Sequence, residues 1–390
     1  MAPMMWERFT TDVKPTSTKT LAALHNPNSG ILPHVRYLSP TDLPRDEESS
    51  RRLKLLILAM ASDRLLGFDG NFPLPCSTLQ LLLKSHRQLR HLTTPICYNV
   101  NDEGESSLQH YSWIPSHLAN ITHYEMSIPL EPALFAPSIQ DGRFLVCNMP
   151  KLRSLHLLHW DMYVTSDNLD SYVDLDLLVS VGEETLRFPN LESLRLHFFD
   201  LAKGSRRLLS GVHASNLQCI TLEMCRNIIP FLAEFTGPGC LSSTVLRHVR
   251  IKLEWNVDQI AQTLGAINTF LQNRTGIERL ILDVNRHGLL DKHSICAHAD
   301  TLYVLILSTG QSDRAQCYST QDLGHILCRC HKLQSIAVNM PLPQLGPLLG
   351  LATRFRLGPG VADGYHVETE FESTLVRPSE NAIQFRLLTA

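Results

Sequence analysis

One spacing of apolar residues limits what this chain can fold into more than any other feature. In the stretch Phe188-Pro189-Asn190-Leu191-Glu192-Ser193-Leu194-Arg195-Leu196, the leucines at 191, 194 and 196 occupy relative positions one, four and six. The last two share one face of an extended strand, which turns Ser193, Arg195 and His197 to the other face. The same spacing recurs at Leu152/Leu155/Leu157, Leu217/Ile220/Leu222, Leu246/Val249/Ile251, Ile277/Leu280/Leu282, Leu302/Leu305/Leu307 and Leu333/Ile336/Val338. Successive copies begin 25 to 39 residues apart. Three buried apolar side chains per copy contribute about 5–9 kcal/mol. Ordering roughly 28 residues costs about 1–2 kcal/mol for each of them. A single copy therefore cannot fold alone, and the copies must stack into a continuous core.

This is the Leu-x-x-Leu-x-Leu signature of leucine-rich repeats, in an irregular form whose longer steps exceed the usual length of about 20–29 residues. The expected fold is α/β: an irregular leucine-rich-repeat solenoid with parallel strands on the concave face and helices and loops outside. Weaker copies precede the seven at Leu53/Leu56/Leu58, Val35/Leu38, Leu89/Leu92 and Leu118/Ile121, and the first of these reads as a strand. Helices are expected from Ser77, as N-cap, to His86, over Asp174–Val179, between Asn256 and Gly276, and from Ser319 to Cys330. Residues 1–30 read as a flexible leader or N-terminal cap, 31–340 as the solenoid and 341–390 as a C-terminal cap in which Ile383–Leu387 alternates like a last strand.

Composition narrows the function classes. With 35 basic and 38 acidic side chains the formal net charge is −3, so no global pull toward nucleic acid or acidic membranes is expected. The ten cysteines are scattered, as in a reduced protein of the cytoplasm or nucleus. The first twenty residues lack the apolar run of a signal peptide, and no stretch approaches a membrane span. No Gly-x-Ser-x-Gly elbow, His-Glu-x-x-His, phosphate loop or dinucleotide fingerprint is present, so neither a catalytic residue nor a cofactor is assigned.

The phrases Met149-Pro150-Lys151-Leu152-Arg153-Ser154-Leu155-His156-Leu157 and Leu83-Lys84-Ser85-His86-Arg87-Gln88-Leu89-Arg90-His91-Leu92 resemble the F-box/leucine-rich-repeat proteins of filamentous fungi. The resemblance covers residues 31 to 350. It implies repeats that hold a substrate for ubiquitination and an N-terminal F-box that docks the Skp adaptor of a cullin ligase. Two features depart from the family. Leu43-Pro44 has the opening dipeptide of the box, but the acidic loop after it is not expected to form the box's amphipathic helices. The Asn or Cys that closes the usual repeat strand occurs only as Cys225 and Asn285.

Residues flanking the second and third apolar positions should line the concave face: Ser154, His156 and Leu158; Ser193, Arg195 and His197; Cys219, Thr221 and Glu223; His248, Arg250 and Lys252; Arg279, Ile281 and Asp283; and Val304, Ile306 and Ser308. Arg195, His197, His248, Arg250, Lys252 and Arg279 make the middle of this face basic, suited to an acidic or phosphorylated peptide. The counter-reading is a solvated strand face on which Glu223 and Asp283 neutralise the cations. The segment His325-Ile326-Leu327-Cys328-Arg329-Cys330-His331 crowds four potential zinc ligands, but Cys328 and Cys330 cannot share a helix face, so buried structural cysteines are expected and no metal. Trp160, Phe199 and Trp255, just past repeat strands, read as turn packing.

The expected function is a non-catalytic protein-binding repeat scaffold, in its sharper form a substrate-recognition subunit related to F-box ubiquitin-ligase receptors. The alternative is a stand-alone leucine-rich-repeat interaction scaffold with no ubiquitin-ligase role. The expected partner is a protein on the concave face, with the Skp adaptor and cullin ligase following from the resemblance.

Overall fold

All seven full copies of the spacing fall on strands of the computed structural model, each strand beginning two residues after the first apolar position. The structure describes residues 7–12, 30, 32–41, 47–70, 74–95, 114–128, 132–159, 172–179, 186–236, 239, 241, 243–253, 260–283, 288–308, 318–340, 367–368, 383–384 and 386–388. Expectations for most of the leader, residues 99–111, Trp160, Trp255, Asn285 and most of 341–390 lie outside them. The chain divides into two compact units, Met1–Leu191 with Gly211–His213, and Glu192–Ser210 with Ala214–Ala390.

In the first unit, β1 (Arg8–Asp12), β2 (Tyr37–Thr41), β3 (Gly67–Asp69), β4 (His91–Pro95), β5 (His123–Ile128) and β6 (Ser154–His159) pair in chain order, every pair parallel. Parallel neighbours require crossovers, and helices supply them: α1 (Glu47–Ala59), α2 (Cys76–Ser85), α3 (Ile114–Leu118) and α4 (Pro132–Cys147). β7 (Val173–Asp174) and the short helix α5 (Leu175–Val179) follow, the latter where the sequence predicts it.

Three expectations change here. Leu53/Leu56/Leu58 is not a strand but part of α1, where Leu53, Leu56, Ile57 and Met60 are buried at three-to-four spacing while Leu58 is 59% exposed. An amphipathic helix therefore does follow Leu43-Pro44; it joins β2 to β3 and packs on α2. Unforeseen strands carry Leu65/Phe68 and Ile121/Tyr124/Met126 on their buried side. Finally, α2 begins at Cys76 with Pro75 as N-cap and no side-chain cap, so Ser77 lies inside the helix.

The second unit repeats the plan. β8 (Ser193–His197) is followed by β9 (Phe199–Asp200), α6 (Ser205–Ser210), β10 (Cys219–Glu223), α7 (Ile228–Ala233), β11 (His248–Lys252), α8 (Ile260–Gln272), β12 (Arg279–Asp283), α9 (Lys292–Cys296), β13 (Val304–Ser308), α10 (Thr320–Arg329) and β14 (Ser335–Met340). Strands β8, β10, β11, β12, β13 and β14 form a parallel ladder without a register slip. Beyond it, β15 (Val367–Glu368), β16 (Ile383–Gln384) and β17 (Arg386–Leu388) run antiparallel, β16 and β17 on β14 and β15 on β17. Phe231, Phe235 and Phe270, all fully buried, join α7 to α8 through ring contacts at 5.6 and 5.9 Å. Helix α8 ends four residues before Gly276, whose φ of 86° serves the turn into β12 rather than the helix stop. The helix expected from Ser319 to Cys330 is α10, and Ser319 caps it, accepting from the Asp322 N–H at 3.1 Å.

The repeats are joined by one recurrent device. In ten of them, among the described residues, the residue after the first apolar position offers its carbonyl to two successive N–H groups of the next repeat. In the first unit Glu7, Arg36, Leu66, Arg90 and Thr122 do this; in the second, Glu192, Gln218, Arg247, Glu278 and Tyr303. A second device tightens several of the entry turns: the N–H groups of Leu89, Ile121, Leu152 and Leu191 return to the carbonyls of His86, Leu118, Met149 and Phe188, all buried three residues earlier.

Candidate functional site

The strand ladder of the second unit places the expected side chains side by side. Parallel register puts Ser193, Cys219, His248, Arg279 and Val304 in one row, Arg195, Thr221, Arg250, Ile281 and Ile306 in the next, and His197, Glu223, Lys252 and Asp283 in a third. Because alternate residues face opposite ways, Leu194, Leu196, Val249 and Ile251 fill the core beneath them.

Glu223 is the centre of the charged half. Its carboxylate, 5% exposed, accepts from Arg195 Nη2 at 2.6 Å and Nε at 3.1 Å, and its other oxygen meets Arg250 Nε at 2.8 Å. The two arginines share a register row, one strand to either side of Glu223, so both guanidiniums converge on the strand between them. Burial alone would raise the carboxyl pKa. The hydrogen bond and charge of Arg195, with the charges of Arg250 and His197, outweigh it and hold the group below its ordinary value. Lys252 lies 3.8 Å from Asp283, its direct partner in register.

All six expected residues are thus on one face, but they are not six equivalent cations. Arg195 and Arg250 are anchored, Lys252 is loosely paired, and Arg279 is exposed with no ion pair among the described residues. Beyond Arg279 the face becomes apolar, with Ile281, Val304 and Ile306 partly exposed. Cys225, just past β10, is buried with its thiol near the carbonyls of Leu196 (3.4 Å) and Glu223 (3.5 Å), and burial pushes its pKa up to about 12. Of the first unit's expected face residues, His156 meets Glu125 at 3.1 Å across the β5–β6 pair.

The four potential zinc ligands diverge. Cys330 is fully buried against Cys296 of α9, Cys328 is exposed, the His325 ring meets His293, and His331 Nδ1 faces the Arg329 carbonyl. Among the described residues no group of three or more His, Cys, Asp or Glu side chains could hold a metal ion. No described helix is long and apolar enough to cross a membrane.

A second polar surface lies in the first unit and was not singled out from the sequence. A cleft of about 460 Å³ is lined by Gln88, Arg90, His91, Asn120, Thr122, His123, Lys151 and Arg153. These residues come from corresponding places before or at the start of β4, β5 and β6, about 31 residues apart in sequence, which is why no local motif marks them.

No protein-family model matches this chain, and no curated protein matches it.

Proposed function

We propose that the protein is a non-catalytic leucine-rich-repeat scaffold that binds a protein partner on the strand face of its second unit. The observation that carries this reading is the composition of that face. A lattice of Arg195, Glu223 and Arg250 adjoins exposed Arg279 and Lys252, then gives way to Ile281, Val304 and Ile306. Such a surface suits an extended segment with acidic residues at one end and apolar residues at the other. The repeat type is supported by the recurrent spacing, the two-donor carbonyls and the thiol of Cys225 at the close of β10.

The sharper reading is a substrate receptor related to F-box ligases. One observation favours the stand-alone scaffold instead: α1, the amphipathic helix after Leu43-Pro44, is the crossover between β2 and β3 and packs on α2 rather than forming a separate box.

One experiment addresses both readings. A photo-crosslinking residue at Thr221 identifies what the face retains, with co-expressed Skp adaptor as a defined candidate for stoichiometric co-purification. Because Arg250 is tied to Glu223, the charge reversals belong at Lys252→Glu and Arg279→Glu. The pair is expected to weaken capture more than about tenfold, since opposed like charges cost several kcal/mol, without altering the circular dichroism spectrum. Unchanged capture would remove the face from the mechanism. Near-equal co-purification with the adaptor would favour the ligase reading over the stand-alone one.

A further inference from the structure

The cleft of the first unit is basic in a way the repeat does not require. Its eight lining residues include Arg90, Lys151 and Arg153 and no carboxylate. Arg90 is exposed and has no ion-pair partner among the described residues. Lys151 Nζ donates to Asn120 Oδ1 at 2.8 Å, a neutral partner that fixes the ammonium without cancelling its charge. Asn120 is itself held, its Nδ2 donating to the Arg87 carbonyl at 3.1 Å, which leaves one amide hydrogen unused by that bond.

The corresponding ridge of the second unit is a control within the same chain. There the residues that carry the two-donor carbonyl are Glu192, Gln218, Arg247, Glu278 and Tyr303. One cation stands among two carboxylates and two neutral residues, and Arg247 meets Glu278 at 3.2 Å. In the first unit the same position reads Arg90, Thr122 and Arg153 on neighbouring repeats. Neighbouring strands are about 4.8 Å apart, so Arg90 and Arg153, one strand apart on either side of Thr122, are separated by about 10 Å along the ladder, close to one Debye length, and screening between them is partial. Such a field focuses anions.

Two of the lining residues, His91 and His123, are directly opposed in register and stack with ring centroids 4.1 Å apart and planes 15° from parallel. Loss of solvent from the stacked ring, then the charges of His91, His156 and Arg153, hold the His123 pKa at about 4. Burial, Arg8 and Arg90 lower that of His91. Both rings are held toward the uncharged form, and His123 Nδ1 is engaged at 2.9 Å by the Thr122 hydroxyl, which itself donates to the Arg90 carbonyl at 3.2 Å. The volume falls within the range of small-ligand sites, roughly 300–1,000 Å³.

We propose that this cleft binds a phosphate group, with Arg90, Lys151 and Arg153 supplying the charge and the Gln88 and Asn120 amides the neutral polar contacts. The group belongs either to a phosphorylated side chain of a bound protein or to a small phosphate free in solution; the charge chemistry is shared. It does not depend on the strand face of the second unit.

The test is isothermal titration of the full chain at low ionic strength with inorganic phosphate, with a phosphoserine peptide and with the same peptide unphosphorylated. Millimolar or tighter binding is expected for at least one of the two phosphate-bearing probes. Arg90→Gln with Lys151→Gln, both at exposed positions, should weaken it more than tenfold. Arg247→Gln, the matching arginine of the second unit, should leave it unchanged. A peptide preferred tenfold over inorganic phosphate and over its unphosphorylated twin assigns the group to a protein; equal binding of inorganic phosphate assigns it to a free ligand. No binding by either probe, or equal binding by wild type and the double variant, overturns the proposal.

Discussion

Glu223 shows how a single side chain decides what a surface is. The carboxylate is almost out of solvent, yet two guanidiniums reach it from opposite strands. Glu223→Ala is expected to destabilise the protein by about 1.5–3 kcal/mol, the range for hydrogen bonds to charged groups. The two arginines are half exposed and can turn to water, so the cost stays below that of a fully buried broken pair. Denaturant titration would measure it, and an unchanged midpoint would mean that the pairing contributes nothing. The sequence offers Glu223 as a neutraliser but not its partners, because Arg195 and Arg250 lie 28 and 27 residues away and only strand register brings all three together. The phosphate cleft was illegible for the same reason. Gln88, Asn120 and Lys151, two amides and an ammonium 31 or 32 residues apart, form no local motif, and their shared position exists only once the repeats are aligned.

At the scale of elements, the second unit was legible wherever all three apolar positions are kept. In the first unit the third position falls on Pro40, Gly70 and Thr94. Without a leucine there the period-two signal shrinks to one residue, and the helical run of α1 supplies a closer imitation than the true strands do. Glycine also has a role that the spacing does not reveal. A Cβ on Gly211 would strike the backbone carbonyl of Leu186, while Gly211's own carbonyl accepts from the Phe188 N–H at 2.7 Å. Gly67 would instead meet the ring of Tyr37, a side chain that can swing away. Gly211→Ala should therefore destabilise by about 1–3 kcal/mol, as overpacking does, and by more than Gly67→Ala. Equal melting temperatures for the two variants would contradict this.

At the scale of the whole molecule, acid acts through several groups in the same direction. His298 is 1% exposed, and its imidazole approaches the Leu271 backbone without a well-formed hydrogen bond; burial lowers its pKa from 6.5 to about 4. His86, also buried, is shifted the same way. Between pH 6.5 and 4 the unfolded chain takes up protons that the folded chain refuses, so stability falls as pH falls, by up to about 3 kcal/mol for His298. Glu223 adds a loss at lower pH: its folded pKa is depressed, so its contribution is present above the ordinary value of 4.5 and disappears as pH drops through the folded one. His298→Gln should flatten the upper part of this curve in urea titrations run at several pH values, and a slope equal to that of wild type would rule out His298 as its source. The two-donor carbonyls bear on the molecule over a longer time. Within each unit the junctions ask the same thing of the neighbour, one oxygen offered and two amide hydrogens returned, whatever side chains stand there. A duplicated or deleted stretch of gene that keeps this phase can be spliced into the array without inventing a new joint, so the length of the binding face can drift while its chemistry is selected residue by residue.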